Sequence, residues 1–286
     1  MLKRILVTTS ALALLASMAA APVRAMTPKL PVVGGETTEL LAPTPDWYTA
    51  ELHERVMAAG AAGESVPLPD GVRLPASALA FTGIRPGSWI LFPAGCTANF
   101  VFGSASDYYI GTAGHCTKVG DQVTIVAAPG VLMNIGRTVT SVDNGVGDDF
   151  ALIDVSPQME QYVNPSMAYF GGPTGTGNTA VGNVVEHAGH GLVIGTGGTP
   201  RAGVVTYRGA GDTAGSDAFG WDGAAAPGDS GSPVRLANGR AAGDLTHLVV
   251  GGKYFPAVIA GTTISRMIQI AGRPLATAPN LPDPLF

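Results

Sequence analysis

Charge is scarce in this chain. Only 13% of its 286 residues are charged, and the formal net charge is -5. Lys and Arg are the minority, 16 against 21 acidic residues, so no basic footprint exists for a phosphate backbone and nucleic acid is excluded as a partner. Long apolar runs are lacking too. The one present, Ile5 to Ala20, follows Lys3 and Arg4 and precedes the small-residue stretch Val23-Arg24-Ala25; it reads as a signal peptide over residues 1–25 and is too short and alanine-rich for a membrane span. The mature protein is therefore expected to be secreted, monomeric and free of the membrane. Cysteine is limited to Cys96 and Cys116, which an oxidising compartment would allow to bond and which would otherwise be buried thiols. What the chain has in quantity is apolar residues (46%), 40 Gly and 22 Pro, the composition of a loop-rich globular β protein long enough to bury a sizeable core.

Residues 26–80 do not look like sheet. Thr44 is placed to cap a helix opened by Pro45, with Asp46 at its positive end and Trp47, Leu52, Val56 and Met57 at near-helical spacing until Gly60. This segment is an N-terminal extension, either a pro-segment removed on maturation or an arm that stays and packs on the surface. From Trp89 onward the pattern changes to short β-rich runs between turn residues: Trp89–Phe92, Asn99–Phe102, Tyr108–Ile110, Gln122–Ala127, Val131–Thr140 and Phe150–Val155. A Gly/Pro/Asn-rich crossing over Asn164–Ala180 separates these from a second set at Asn183–Val185, Gly191–Ile194, Gly203–Tyr207, Ser232–Leu236, Asp244–Val250 and Ala257–Thr262. Thr263 caps a final helix, Ile264–Ala271, stopped by Gly272 and Pro274.

The stretch Gly228-Asp229-Ser230-Gly231-Ser232-Pro233 carries the chemistry. A serine hydroxyl is a weak nucleophile until a base takes its proton, and the base needs a carboxylate to orient it. His115, in Thr112-Ala113-Gly114-His115-Cys116, and Asp149, in Asp149-Phe150-Ala151-Leu152, supply both. Glycines beside Ser230 allow a tight turn that brings the amides of Gly228 and Ser230 onto one developing oxyanion.

At these three motifs, in the order His, Asp, Ser, the chain resembles the chymotrypsin-like serine proteases, most of all the short secreted bacterial ones, over roughly Phe81 to Ala271. Gly114 stands where many members have alanine and Ser232 where many have glycine. The resemblance implies an all-β fold of two antiparallel six-stranded barrels with a short C-terminal helix, a protease domain over 81–275 (barrels about 81–165 and 180–262) and a tail over 276–286. It implies a serine endopeptidase acting on polypeptides through an acyl-enzyme, with no cofactor and no metal. It also implies a disulfide between Cys96 and Cys116, a buried structural role for Asp229, and a substrate pocket lined around Ala224, Thr246, His247, Leu248 and Ala257. That pocket holds no carboxylate, so a lysine or arginine side chain would lose hydration there without gaining a partner. His247, if it points inward, would suit glutamate instead.

Several clusters invite other readings. Arg201, His187 or a newly cut N-terminus could each pair with Asp229, and Asp148 reads as a solvated loop charge next to Asp149. Glu186, His187 and His190 have a metal-like spacing but no helix to hold them on one face, and are expected to be structural. Ser230, Asp244 and His247 follow an esterase order, crowded into one segment. A silent binding protein on a protease fold is the remaining alternative.

Overall fold

The structure, a computed structural model, describes residues 36–74, 81–128, 130–191 and 199–282. The leader and most of the strand expected at Gly191–Ile194 lie outside the described residues.

The N-terminal extension contributes β1 (Glu36–Glu39), α1 (Ala50–Ala61) and β2 (Val66–Pro67). The helix begins later than its sequence suggests. Thr49, not Thr44, is the cap, its hydroxyl accepting the Leu52 N–H at 3.2 Å, with Glu51 in the first turn where the exposed N–H groups favour an anion. Thr44 instead donates to the carbonyls of Leu91 and Pro93, which holds Pro45 to Tyr48 in a turn. Gly60 does not end the helix. It lies inside it, where a Cβ would come within 2.7 Å of Asn134 Cβ. Leu52 and Val56 are buried with Tyr48, Val66, Trp89, Leu91, Val126 and Leu132, each side chain contributing about 1.5–3 kcal/mol on removal from water.

The first barrel comprises β3 (Trp89–Phe92), β4 (Cys96–Thr97), β5 (Val101–Ser104), β6 (Asp107–Thr112), β7 (Gln122–Ala127), β8 (Val131–Asp143) and β9 (Asp149–Val155). Its antiparallel order is β4-β3-β7-β8-β9-β6-β5, with β2 added to β8. Because β4 and β5 are two arms of one bent stretch, the sheet returns on itself and holds six strands. Ile90, Val101, Ile110, Val123, Ile125, Ile135 and Ile153 fill the interior.

The second barrel comprises β10 (Val184–Gly189), β11 (Thr199–Gly209), β12 (Ala218–Asp222), β13 (Pro233–Leu236), β14 (Ala241–Asp244), β15 (His247–Val250) and β16 (Ile259–Thr262). The order is β15-β16-β12-β11-β10-β13-β14, and β14 and β15 are again arms of one bent stretch, so this barrel also has six strands. β1 adds a further strand along β15. The sequence reading differs in detail: β12 has no counterpart in it, β14 shares only Asp244 with an expected strand, and the run Asp244–Val250 is broken at Leu245 and Thr246. The closing helix α2 (Ile264–Ala271) is as expected, capped by Thr263 and ended by Gly272 at φ 60°. Its Ile264 and Met267 pack on Phe100, Phe102, Phe150, Leu152 and Ala241, across elements of both barrels.

Cys96 and Cys116 form a disulfide that closes a loop of about 20 residues ending beside His115. Chain entropy assigns such a loop roughly 3 kcal/mol. Denaturant unfolding with and without reductant should show a loss of that order; an unchanged midpoint in fully reduced protein would refute it.

Candidate active site

His115 lies in the single turn Gly114–Cys116 that comes after β6, and the turn is pressed against its neighbours. A Cβ on residue 114 would come within 1.8 Å of the Val142 carbonyl oxygen, which explains glycine where alanine is common. The backbone N–H of His115 donates to Asp149 Oδ1 at 3.1 Å and its ring Nδ1 contacts Oδ2 at 2.6 Å. Since an ionised carboxylate only accepts, the ring proton sits on Nδ1 and the neutral imidazole presents its Nε2 lone pair to the Ser230 hydroxyl, 2.7 Å away. Burial pulls the His115 pKa down, but the hydrogen bond and charge of Asp149, with smaller help from Glu39 and Asp143, outweigh it and leave the pKa raised.

Asp149 opens β9 and is fully buried. Its backbone N–H donates to the Thr262 hydroxyl at 3.1 Å, which ties the strand carrying the carboxylate to the second barrel. Asp148 is not the solvated charge its position suggests: it is 4% exposed and bonds Arg266 of α2 at 2.8 Å. The helix supplies a cation that the local sequence does not contain.

Ser230 sits on the turn between β12 and β13. Gly228 has φ 104°, and a Cβ there would come within 2.4 Å of the His190 carbonyl oxygen. This conformation turns the amides of Gly228 and Ser230 onto one acceptor, the Leu40 carbonyl oxygen, at 2.5 and 3.3 Å. Asp229 is wholly buried beneath them. Arg201 reaches it with two bonds of 2.6 Å, and the Gly191 and Ala226 amides add bonds of 2.8 and 2.7 Å. Of the three partners open to Asp229 from the sequence, the structure selects Arg201. His187 faces Trp221 edge-on at 5.8 Å, and burial, then Arg201, lowers its pKa to about 3. Ser232 donates to the Asp229 carbonyl at 2.6 Å and so reinforces the turn in place of the more common glycine.

The expected pocket residues are scattered. Ala225 and Leu248 pack against an apolar cluster holding Leu40, Val205, Phe219, Trp221 and Leu245. Ala224 is exposed, with its carbonyl bonded to Arg201. Thr246 offers its carbonyl to the Ser230 hydroxyl at 3.2 Å, and Ala257 belongs to a separate cluster with Tyr254 and Val249. His247 bonds the Thr246 hydroxyl at 2.8 Å and faces the His115 ring at 5.8 Å; burial lowers its pKa against the pull of Asp149.

The rival constellations do not assemble among the described residues. Glu186 bonds Arg235, His190 bonds the Gly87 carbonyl, and His187 lies against Trp221, so the metal-like triplet is spread over separate partners. Asp244 accepts from the Thr262 amide at 2.8 Å and does not pair with His247. Sequence reasoning missed Thr262 and Leu40; the latter comes after a polar stretch, Glu36–Glu39, that carries no strand signal.

Removing the Arg201 charge leaves the buried Asp229 carboxyl without its cation partner. Arg201→Met should therefore cost about 3–5 kcal/mol of unfolding free energy. A loss below about 1 kcal/mol in denaturant titration would overturn the assignment of this pair.

Comparison with family models and with curated proteins returns no match. Among solved structures, Thermobifida fusca protease A is 21% identical with a TM-score of 0.51, over 68% of this chain and 98% of its own. A glutamic acid specific serine protease that uses a histidine triad in substrate binding is 17% identical with a TM-score of 0.52, over 68% of this chain and 100% of its own. The fold is that of the chymotrypsin-like proteases, two six-stranded β-barrels.

Proposed function

We propose that the chain is a serine endopeptidase in which Ser230 is the nucleophile, His115 the general base and then acid, and Asp149 the residue that orients His115. What carries this reading is one arrangement: the Ser230 hydroxyl lies 2.7 Å from His115 Nε2 while the Gly228 and Ser230 amides converge on a single carbonyl oxygen. Ser230 Oγ adds to the substrate carbonyl as its proton passes to Nε2, and the two amides hold the oxyanion, a contribution of about 3–4 kcal/mol per well-placed donor. The imidazolium formed, stabilised by Asp149, returns the proton to the leaving nitrogen. Water then repeats the sequence on the ester. Arg201 bonds Asp229 beneath this turn, which supports a reading in which the two amides serve as oxyanion donors without a new N-terminus on Asp229.

The disulfide Cys96–Cys116 suits an oxidising compartment outside the cytoplasm. No helix among the described residues is long and apolar enough to cross a membrane. The glutamate preference of the second solved neighbour is not carried over. Here His247 is engaged with Thr246 and faces His115, and His187 and His190 reach neither it nor each other by hydrogen bonds. Apolar acyl-side residues suit walls such as Ala225 and Leu248.

Ser230→Ala, His115→Ala and Asp149→Asn should each lower hydrolysis of casein by roughly 10⁴-fold or more while leaving the thermal midpoint nearly unchanged, and the losses should not multiply in combination. Fluorophosphonate labelling that persists in Ser230→Ala would sink the assignment. Because His115 must be neutral to act, kcat/KM should climb as pH rises through its raised pKa, which lies above the ordinary 6.5. A profile already flat from pH 5 contradicts this. In a peptide library the residue before the cut should be apolar; dominance of Lys or Arg would defeat the pocket, and dominance of Glu lost in His247→Ala would restore the glutamate reading.

A further inference from the structure

The segment Glu36–Thr44 runs through the site as a peptide substrate would. On the acyl side, β1 lies antiparallel along β15, with Thr38 opposite Leu248 and Glu39 opposite His247. The Leu40 carbonyl oxygen is the acceptor on which the Gly228 and Ser230 amides converge, and the Leu40 N–H donates to Ser230 Oγ at 3.0 Å. The Leu40 side chain is 1% exposed and shares an apolar cluster with Ala225 and Leu248. On the far side, Ala42 exchanges both backbone hydrogen bonds with Gly95, at 2.8 and 2.7 Å. An arm that merely covered the cleft would have no need to offer one carbonyl to both oxyanion donors, one apolar side chain to the pocket and one antiparallel strand to β15, all in the direction a substrate takes.

We infer that the Leu40–Leu41 bond is cut by Ser230 of the same chain. The inference rests on the protease reading and names a first substrate for it: an extended peptide with leucine on the acyl side. Ser230 Oγ bonds to the Leu40 carbonyl carbon as its proton moves to His115. The Leu40–Leu41 C–N bond then breaks, with His115 delivering the proton to the Leu41 nitrogen. Water, deprotonated by His115, hydrolyses the ester, which leaves a Leu40 carboxylate and regenerates Ser230. The two products are held unequally. The acyl-side product is held by the four-residue pairing of β1 with β15 and by Leu40 alone, whereas the new Leu41 terminus is anchored by Ala42 on Gly95, by the Thr44 hydroxyl, and by α1 packed on the first barrel. The acyl-side peptide leaves and the helix stays, so the extension divides at Leu41: the residues up to Leu40 are removed, and those from Leu41 onward are a permanent part of the fold.

The test uses full-length wild-type, Ser230→Ala, Leu40→Asp and Thr38→Pro chains, analysed by intact mass, N-terminal sequencing and fluorophosphonate labelling. Thr38→Pro removes a backbone donor from β1 at an exposed position and covers the case in which Leu40→Asp fails to fold. The expected result is a wild-type N-terminus at Leu41, an intact bond in Ser230→Ala, cutting slowed at least about tenfold in Leu40→Asp and Thr38→Pro, and a rate constant unchanged by dilution. A wild type that labels with fluorophosphonate yet keeps the Leu40–Leu41 bond overturns the inference and leaves the protease reading standing. So does cutting that accelerates with protein concentration, which makes it intermolecular, and so does an uncut wild type in which labelling appears only once Leu40 or Thr38 is changed, which makes the segment a fixed inhibitor. Absence of labelling in wild type, Leu40→Asp and Thr38→Pro alike overturns the protease reading and this inference together.

Discussion

The pairing of Arg201 with Asp229 is the constraint on which the site depends. Asp229 is fully buried and would be prohibitively costly there alone; two guanidinium N–H groups and the Gly191 and Ala226 amides satisfy it. Each bond also fixes a direction. Arg201 comes from β11, Gly191 from just past the end of β10 and Ala226 from the turn itself, so the carboxylate clamps the turn that carries Ser230 to the side of the second barrel. With that turn held, Gly228 keeps its left-handed backbone and its amide stays pointed at the acceptor. A charge buried for this purpose contributes position more than net stability, and loss of one partner is correspondingly severe.

The second requirement is that two barrels hold three side chains within a few tenths of an ångström. Hydrogen bonds across the barrels do this at several points. The Thr97 N–H donates to the Ser230 carbonyl at 2.8 Å and its hydroxyl to the Gly228 carbonyl at 2.9 Å, while Asn99 Nδ2 donates to the Gly231 carbonyl at 2.7 Å. The Cys96–Cys116 bond links the stretch that carries Thr97 to the turn that carries His115, so His115 and Ser230 are referred to the same piece of backbone. From the opposite direction Thr262 bonds Asp149 through its hydroxyl and Asp244 through its amide. Burial, then the nearby charge of Asp149, raises the Asp244 pKa well above the ordinary carboxylate value.

Legibility in the sequence depends on where the information resides. Chemistry requires particular residue types, so His115, Asp149 and Ser230 stand out by motif, and the structure sets them in one hydrogen-bonded chain. Strands such as β7 and β13 are legible because burial demands runs of apolar residues. β12 is not, because Ala-Phe-Gly-Trp-Asp is short, carries Gly220 at its centre, and is buried through Phe219 and Trp221 alone among its large side chains. The sequence points to Thr44-Pro45 as the start of α1, and contact of the Thr44 hydroxyl with the Leu91 and Pro93 carbonyls, which lie far along the chain, takes that residue away and leaves Thr49 as the cap. Arg201 for Asp229 and Arg266 for Asp148 are likewise partners that only tertiary structure brings near.

β1 is the extreme case, and it shows why a protease fold leaves such a segment illegible. A strand on the open edge of β15 is held through its backbone, and Thr37, Thr38 and Glu39 keep their side chains exposed. Backbone pairing is indifferent to side chains, which is what an enzyme acting on many peptides needs from its binding edge. The same indifference deprives the paired segment of any hydrophobic alternation, so nothing in Glu-Thr-Thr-Glu announces a strand. The one side chain with a stringent requirement is that of Leu40, which enters the apolar cluster, and its signal is a single leucine among several. An unpaired strand edge is also a liability, open to any extended chain. In this structure the chain's own extension occupies that edge from Glu36 to Glu39 and continues past Ser230 to the Gly95 contact, so the surface that would receive a substrate is already covered by a peptide with the geometry of one.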